Sequence, residues 1–165
     1  MFHKISLSSI FVLLAFVLSG CCALSGSDLC AGIKPDTGIL LRADIMVSGN
    51  ANPDSDGRPS PVTIRIYQLS AGSSFRDAGF ASLNDDDEAV LGADLVFKEE
   101  MDVHPGAEIP FERKLKKTTR YLGVMVAFRD SGNAVWHALT DLPAMGEFPI
   151  VIEIDGSSVS IWPKD

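Results

Sequence analysis

Cysteine is scarce in this 165-residue chain: Cys21, Cys22 and Cys30 are the only three, and all lie in the first thirty residues. The body of the chain therefore has no disulfide framework, and no CxxC or HxxxH spacing to hold zinc. No G-x-S-x-G elbow occurs, so neither His104 nor His137 has the nucleophile that hydrolysis would need. Positive charge is also short, 14 Lys and Arg against 22 Asp and Glu, for a net charge of −8. An acidic balance, read as containing no basic block, argues against a nucleic-acid partner. The longest apolar run, Ile10 to Leu18, is about half of the roughly 20 residues that a membrane-spanning helix needs. What remains is 46% hydrophobic and 22% charged, the composition of one globular domain able to bury its own core.

The start of the chain reads as an address. His3 and Lys4 precede the apolar run, and the small residues Ser19 and Gly20 follow it, which is secretory signal architecture over residues 1–20. Leu18-Ser19-Gly20-Cys21 is similar to the bacterial lipobox, in which the cysteine thiol is acylated and the chain is cut before it. Position 22 is Cys rather than the Asp that would retain a lipoprotein at the inner membrane, so sorting to the outer membrane is expected. Residues 21–38 then form a lipidated N-terminus and a small, polar linker, in which Cys22 and Cys30 either pair in an oxidising periplasm or stay apart.

Residues 39–165 carry strand periodicity. Ile39, Leu41, Ala43, Ile45 and Val47 alternate with polar positions, as do Val62, Ile64 and Ile66, and then Leu95, Phe97, Met101 and Val103. Pro105-Gly106 suits a type II turn, and Pro110 in the next run places that strand at an edge or bulge. Tyr121 to Phe128 is apolar on both faces, which predicts a central strand. Ile150, Ile152 and Ile154 lead through Asp155-Gly156 into Val159 and Ile161, a hairpin. Between Ser73 and Gly92, Ser74 with Asp77 and Asp85 with Glu88 read as the caps of two short helices. Seven or eight strands with two inserted helices predict an all-β fold, a two-sheet β-sandwich.

The candidate sites are few. The loop from Gly49 to Ser60 sets Asn52, Asp54, Asp56 and Gly57 at positions 1, 3, 5 and 6 of a calcium loop, but Thr63 stands where a bidentate Glu belongs and no helix flanks it. A solvated turn is a second reading. A partner-contact loop, kept long because it meets another protein, is preferred. The run Asp85-Asp86-Asp87-Glu88 reads as a helix start rather than a metal site. Arg65 and Arg129 either pair with acids or take part in partner recognition, and Trp136 and Trp162 serve either core or interface. A ligand pocket around Phe75, Phe80 and Trp136 would make the chain a periplasmic ligand-binding or hydrolytic lipoprotein, the alternative from another class.

Taken together, Asn52-Pro-Asp-Ser-Asp-Gly-Arg-Pro-Ser-Pro-Val-Thr-Ile-Arg-Ile-Tyr-Gln-Leu69, Phe75, Phe80 through Leu83, Pro105-Gly106, Tyr121-Leu-Gly-Val-Met-Val-Ala-Phe-Arg-Asp130 and Trp136 resemble the TssJ family, the outer-membrane lipoproteins of the type VI secretion system. The resemblance runs from about Leu40 to the C-terminus. It implies a transthyretin-like sandwich, anchored through Cys21 and facing the periplasm, with no catalytic residues, metal or cofactor. It also implies a partner, the periplasmic C-terminal region of TssM, which with TssL forms the trans-envelope complex. The family's contact loop maps onto Gly49 to Ser60, making Asn50, Asn52, Asp54, Asp56, Gly57, Arg58 and Pro59 the expected partner-binding residues.

Overall fold

A computed structural model describes residues 38–164. The expected leader, the expected linker up to residue 37 and Cys21, Cys22 and Cys30 lie outside the described residues. Eight strands lie among the described residues: β1 (Ile39–Val47), β2 (Val62–Leu69), β3 (Leu95–Val103), β4 (Glu108–Lys114), β5 (Tyr121–Val126), β6 (His137–Asp141), β7 (Gly146–Asp155) and β8 (Ser158–Pro163). They form two four-stranded sheets, in the orders β4-β1-β7-β8 and β3-β2-β5-β6. β1 runs antiparallel to β4 and parallel to β7, Ile39 opposite Gly146. Pro110 sits on β4, an edge strand, where its missing N–H leaves no gap in an interior ladder.

The inward rows of the two sheets cover each other. Leu41, Ile45, Ile150, Ile152 and Ile154 of the first meet Ile64, Leu122, Val124 and Val126 of the second in one buried cluster. Each such side chain contributes roughly 1.5–3 kcal/mol on leaving water. The outer face of the second sheet is covered as well, by α1 (Ser73–Asp77), α2 (Phe80–Asp85) and α3 (Asp87–Leu91). Phe75, Leu83 and Leu91 from these helices pack with Tyr67, Leu69 and Met125 from β2 and β5. That double coverage is why Tyr121 to Val126 is apolar on both faces. Gly123 leaves the room Phe75 occupies: a Cβ there would lie 3.0 Å from the ring's Cζ.

Polar contacts fasten the helices to the sheet. The Tyr67 hydroxyl donates to Asp87 Oδ2 at 2.8 Å, and Lys98 Nζ lies 2.9 Å from Asp87 Oδ1. Arg65 Nη1 donates to the Asn84 carbonyl at 3.0 Å, and its Nε to Glu100 at 2.5 Å. Burial alone would raise the Asp87 carboxyl, but Lys98, Tyr67 and Arg65 outweigh it and hold the acid below its ordinary range. Burial, then the Asp87 carboxylate, pushes the Tyr67 phenol far above its own.

Several local expectations shift. The segment from Ser73 holds three helices rather than two, followed by a 3-10 turn at Gly92–Asp94. Ser74 is not a cap: its hydroxyl donates to Asp94, and the residue preceding α1 is Gly72. Asp86, not Asp85, caps α3 by accepting the Ala89 N–H, and the acidic run is not wholly solvated because Asp87 is buried. β6 has no counterpart in the sequence pattern. Phe97 faces the first sheet from an edge strand and is 40% exposed. The last hairpin turns at Gly156-Ser157, one residue later than expected, with Gly156 at φ 56°.

Gly123→Ala drives a methyl into the Phe75 ring and is expected to cost about 1–3 kcal/mol, read as a lower melting temperature, with Gly123→Ala/Phe75→Leu recovering part of the loss. His137 packs on Trp136 and Phe75, and burial holds its imidazole below the ordinary value of 6.5. The unfolded chain then binds the extra proton more readily, so this contribution to stability is complete above about pH 6.5 and falls as pH drops below it. Melting temperatures measured between pH 7.5 and 5.5 should show that decline, and His137→Asn should flatten it.

Candidate partner-contact site

The segment between β1 and β2 is fastened at its base by one residue. Asn52 has φ 51°, the one positive value at a non-glycine among the described residues, and asparagine tolerates that conformation better than most side chains. It is 5% exposed. Its N–H donates to the Gly156 carbonyl at 2.8 Å and its Nδ2 to the Pro61 carbonyl at 2.9 Å. Its Oδ1 accepts the Arg129 N–H at 2.8 Å, and its carbonyl accepts the Ser60 hydroxyl at 2.6 Å. The β1–β2 loop, the β5–β6 loop and the β7–β8 turn are thereby joined at one end of the sandwich. Asn52, expected to meet a partner, has its side chain turned inward instead.

The tip is organised by Asp54. Its Oδ1 accepts the N–H groups of Asp56 and Arg58, each at 2.9 Å, while its own N–H donates to the Arg58 carbonyl. Gly57 at φ 78° closes the turn, its N–H donating to the Asp54 carbonyl at 2.9 Å. Arg58 Nε lies 3.1 Å from Asp54 Oδ2, and its Nη2 pairs with Asp56. The Arg58 N–H, foremost, holds the Asp54 carboxyl below its ordinary range. Arg58 is thus bound inside the loop rather than held out as an open donor, and its guanidinium sits where the two carboxylates converge. Thr63 bonds Asp102 at 2.7 Å within the sheet. Among the described residues no group of three or more His, Cys, Asp or Glu is placed to hold a metal ion. Asn50, Asp56, Gly57, Arg58 and Pro59 are exposed, and Asp54 is half-buried.

The alternative site is filled. Phe80 meets Trp136 edge-on at 5.5 Å, and Phe75 meets Tyr67 at 5.5 Å and His137 at 5.7 Å. A groove of about 420 Å³ on the outer face of the first sheet is lined by Arg42, Asp44, Glu112, Glu147 and Lys164. Those charges pair among themselves, Arg42 with Glu112 at 3.2 Å and with Glu147 at 3.3 Å, and Lys164 with Asp44. Arg65 pairs with acids, whereas Arg129 engages Asn52 and Ser60. Charge counting passed over a local feature: Arg113, Lys114, Lys116, Lys117 and Arg120 gather five of the 14 cations into eight residues.

Residues 40–157 match the model of the type VI secretion lipoprotein family, described by the names VasD, EvfM and TssJ. Among solved structures, the T6SS lipoprotein TssJ1 from Pseudomonas aeruginosa is 29% identical, with a TM-score of 0.75 over 78% of this chain and 98% of that one. Serratia marcescens Lip, a membrane-bound component of the type VI secretion system, is 22% identical, with a TM-score of 0.70 over 76% and 97%. A chain from a structure of the T6SS protein TssM C-terminal domain (869-1107) from EAEC is 23% identical, with a TM-score of 0.63 over 76% and 98%. The last two likenesses speak to the fold alone. No curated protein sequence matches the chain.

Asn52→Ala leaves the Arg129 N–H and the Pro61 carbonyl without their partner and puts a Cβ without a polar group at positive φ. It should cost about 2–4 kcal/mol in urea unfolding and speed hydrogen exchange at the Arg129 amide. Asn52→Gly, which relieves only the backbone, should fall between it and the native protein.

Proposed function

The chain belongs to the type VI secretion lipoprotein family, and from that premise we propose that it ties the outer membrane to the secretion machine. In this reading residues 1–20 are a cleaved leader, residues 21–38 carry the acylated Cys21 and a linker, and the domain from residue 39 faces the periplasm. Each buried CH₂ contributes about 0.8 kcal/mol, so one acyl chain holds marginally and two or three hold stably. The domain binds the periplasmic C-terminal region of TssM, and through TssM, with TssL, the outer membrane is coupled to the inner-membrane complex. The role is adhesive and not catalytic.

The observation that carries this reading is the fixed β1–β2 loop. A loop whose base is tied to two others and whose tip is bonded to itself loses little freedom on binding, which favours recognition. The contact face is Asn50, Asp54, Asp56, Gly57, Arg58 and Pro59, with Asn52 acting from below as the anchor. Support for TssM as the partner comes from the family match, whose TssJ membership implies that contact. Against a ligand-binding or hydrolytic role stand the packed aromatic cluster and the mutually paired charges of the outer groove.

Titration of the mature chain with the periplasmic C-terminal region of TssM tests the loop. Asp54→Ala/Asp56→Ala/Arg58→Ala should weaken binding by about tenfold or more with the far-ultraviolet spectrum unchanged, and rim charges act mainly on the association rate. Asp56→Ala/Arg58→Ala, which keeps the Asp54 backbone bonds, should lose less. Unchanged affinity of the triple variant would remove the loop from the contact.

A further inference from the structure

The basic stretch from Arg113 to Arg120 lies at the opposite end of the sandwich from the acidic loop, where the chain enters the domain. β1 starts there, the Leu115 N–H donating to the Ile39 carbonyl at 2.9 Å and the Gly146 N–H to the Gly38 carbonyl at 3.3 Å. The loop carrying the charges, residues 115–120, is held in place. Buried Gln68 accepts the Lys116 N–H at 2.9 Å and the Thr119 hydroxyl at 3.1 Å, and the Arg120 N–H donates to the Leu69 carbonyl at 2.7 Å. Lys116 stands over the Phe97 ring at 5.8 Å, and Arg120 bonds the carbonyls of Lys117 and Thr119. Lys116, Lys117 and Arg120 are exposed, and none has an ion pair among the described residues. Arg113 is different, being paired with Glu99 at 2.5 Å. Of the acids at this end, Glu147 is taken by Arg42 and Asp94 by Ser74, and Asp141 closes β6. Met145, 62% exposed, projects from the neighbouring β6–β7 loop, whose Leu142 N–H donates to the Arg120 carbonyl.

We propose that this end is a seat for an anionic phospholipid surface: Lys116, Lys117 and Arg120 meet lipid phosphates, with Met145 and Phe97 at the headgroup boundary. The inference rests on the acylated anchor at Cys21 proposed above and adds to it an orientation. The stretch from Cys21 to Gly38 has a contour length of at most about 60 Å, so an anchor at Cys21 does not by itself choose which end of the domain meets the bilayer. Cations near an anionic leaflet each favour contact by about a fivefold factor, and the tether keeps the domain where that factor acts. The acidic remainder of the domain is repelled by the same surface. Seated so, the domain points the β1–β2 loop away from the bilayer, about 30 Å from it along the nine residues of β1.

The test uses the acylated full-length mature chain in vesicles of phosphatidylethanolamine with phosphatidylglycerol, and in neutral phosphatidylcholine vesicles, with amine labelling read by mass spectrometry. Labelling of Lys116 and Lys117 should fall about fivefold or more in the anionic vesicles and recover at about 0.5 M salt, while Lys164 labels equally in both. As a second measurement, the mature chain with Cys21→Ser should sediment with anionic vesicles at low salt. Lys116→Gln/Lys117→Gln should weaken that by roughly 20-fold, since neither side chain holds the loop's backbone. Equal labelling in the two compositions, with Cys21 acylated in both, overturns the seat and leaves the anchor standing. A purified chain without acyl groups overturns the anchor itself.

Discussion

The amide of Asn52 is the constraint on which the β1–β2 end of the sandwich depends. One side chain and its peptide group receive or supply bonds to Pro61, Arg129, Gly156 and Ser60, so three connections that are far apart in sequence become one body. At the tip, by contrast, Asp54, Asp56 and Arg58 bond chiefly to one another. The division is physical: buried amide bonds fix where the loop stands, and exposed ionic bonds fix the shape of its tip. Only the second set is available to be exchanged for contacts with another protein, and exposed pairs of this kind are worth little to folding.

Much of the sandwich was legible because its strands obey a period of two. β1, β2 and the β7–β8 hairpin could be read that way, and the two-sided apolarity of β5, Tyr121 to Val126, pointed instead to cover on both faces. β6 could not. His137-Ala-Leu-Thr-Asp shows no alternation, and as an edge strand it is only half-buried, so periodicity has little to mark. In the acidic run, Asp87 looks no different from its neighbours. Its burial is decided by Tyr67 and Lys98, which are distant in sequence and carry no local signal.

The candidate loop was legible as a place and not as a mechanism. Its length and polar residues marked it, yet nothing in Asn52-Pro-Asp-Ser-Asp-Gly-Arg58 says that the first residue turns inward while Arg58 folds back on the acids. Those facts depend on backbone direction, set by β1 and β2 on either side. The basic loop was hidden for a different reason, because a net charge of −8 averages it away. Two buried amides, Asn52 and Gln68, fix the acidic and basic ends in the same manner.

The pairing of β1 carries a mechanical consequence. It is the first strand of the domain, yet it lies inside its sheet, with β4 along one side and β7, in parallel, along the other. Tension drawn through the N-terminus acts along the strand axis, where both ladders resist in shear and many bonds must yield together. An edge strand pulled from its end would instead unzip rung by rung. If the domain hangs from its N-terminus as proposed, its point of suspension lies in the part of the fold that resists stretching best.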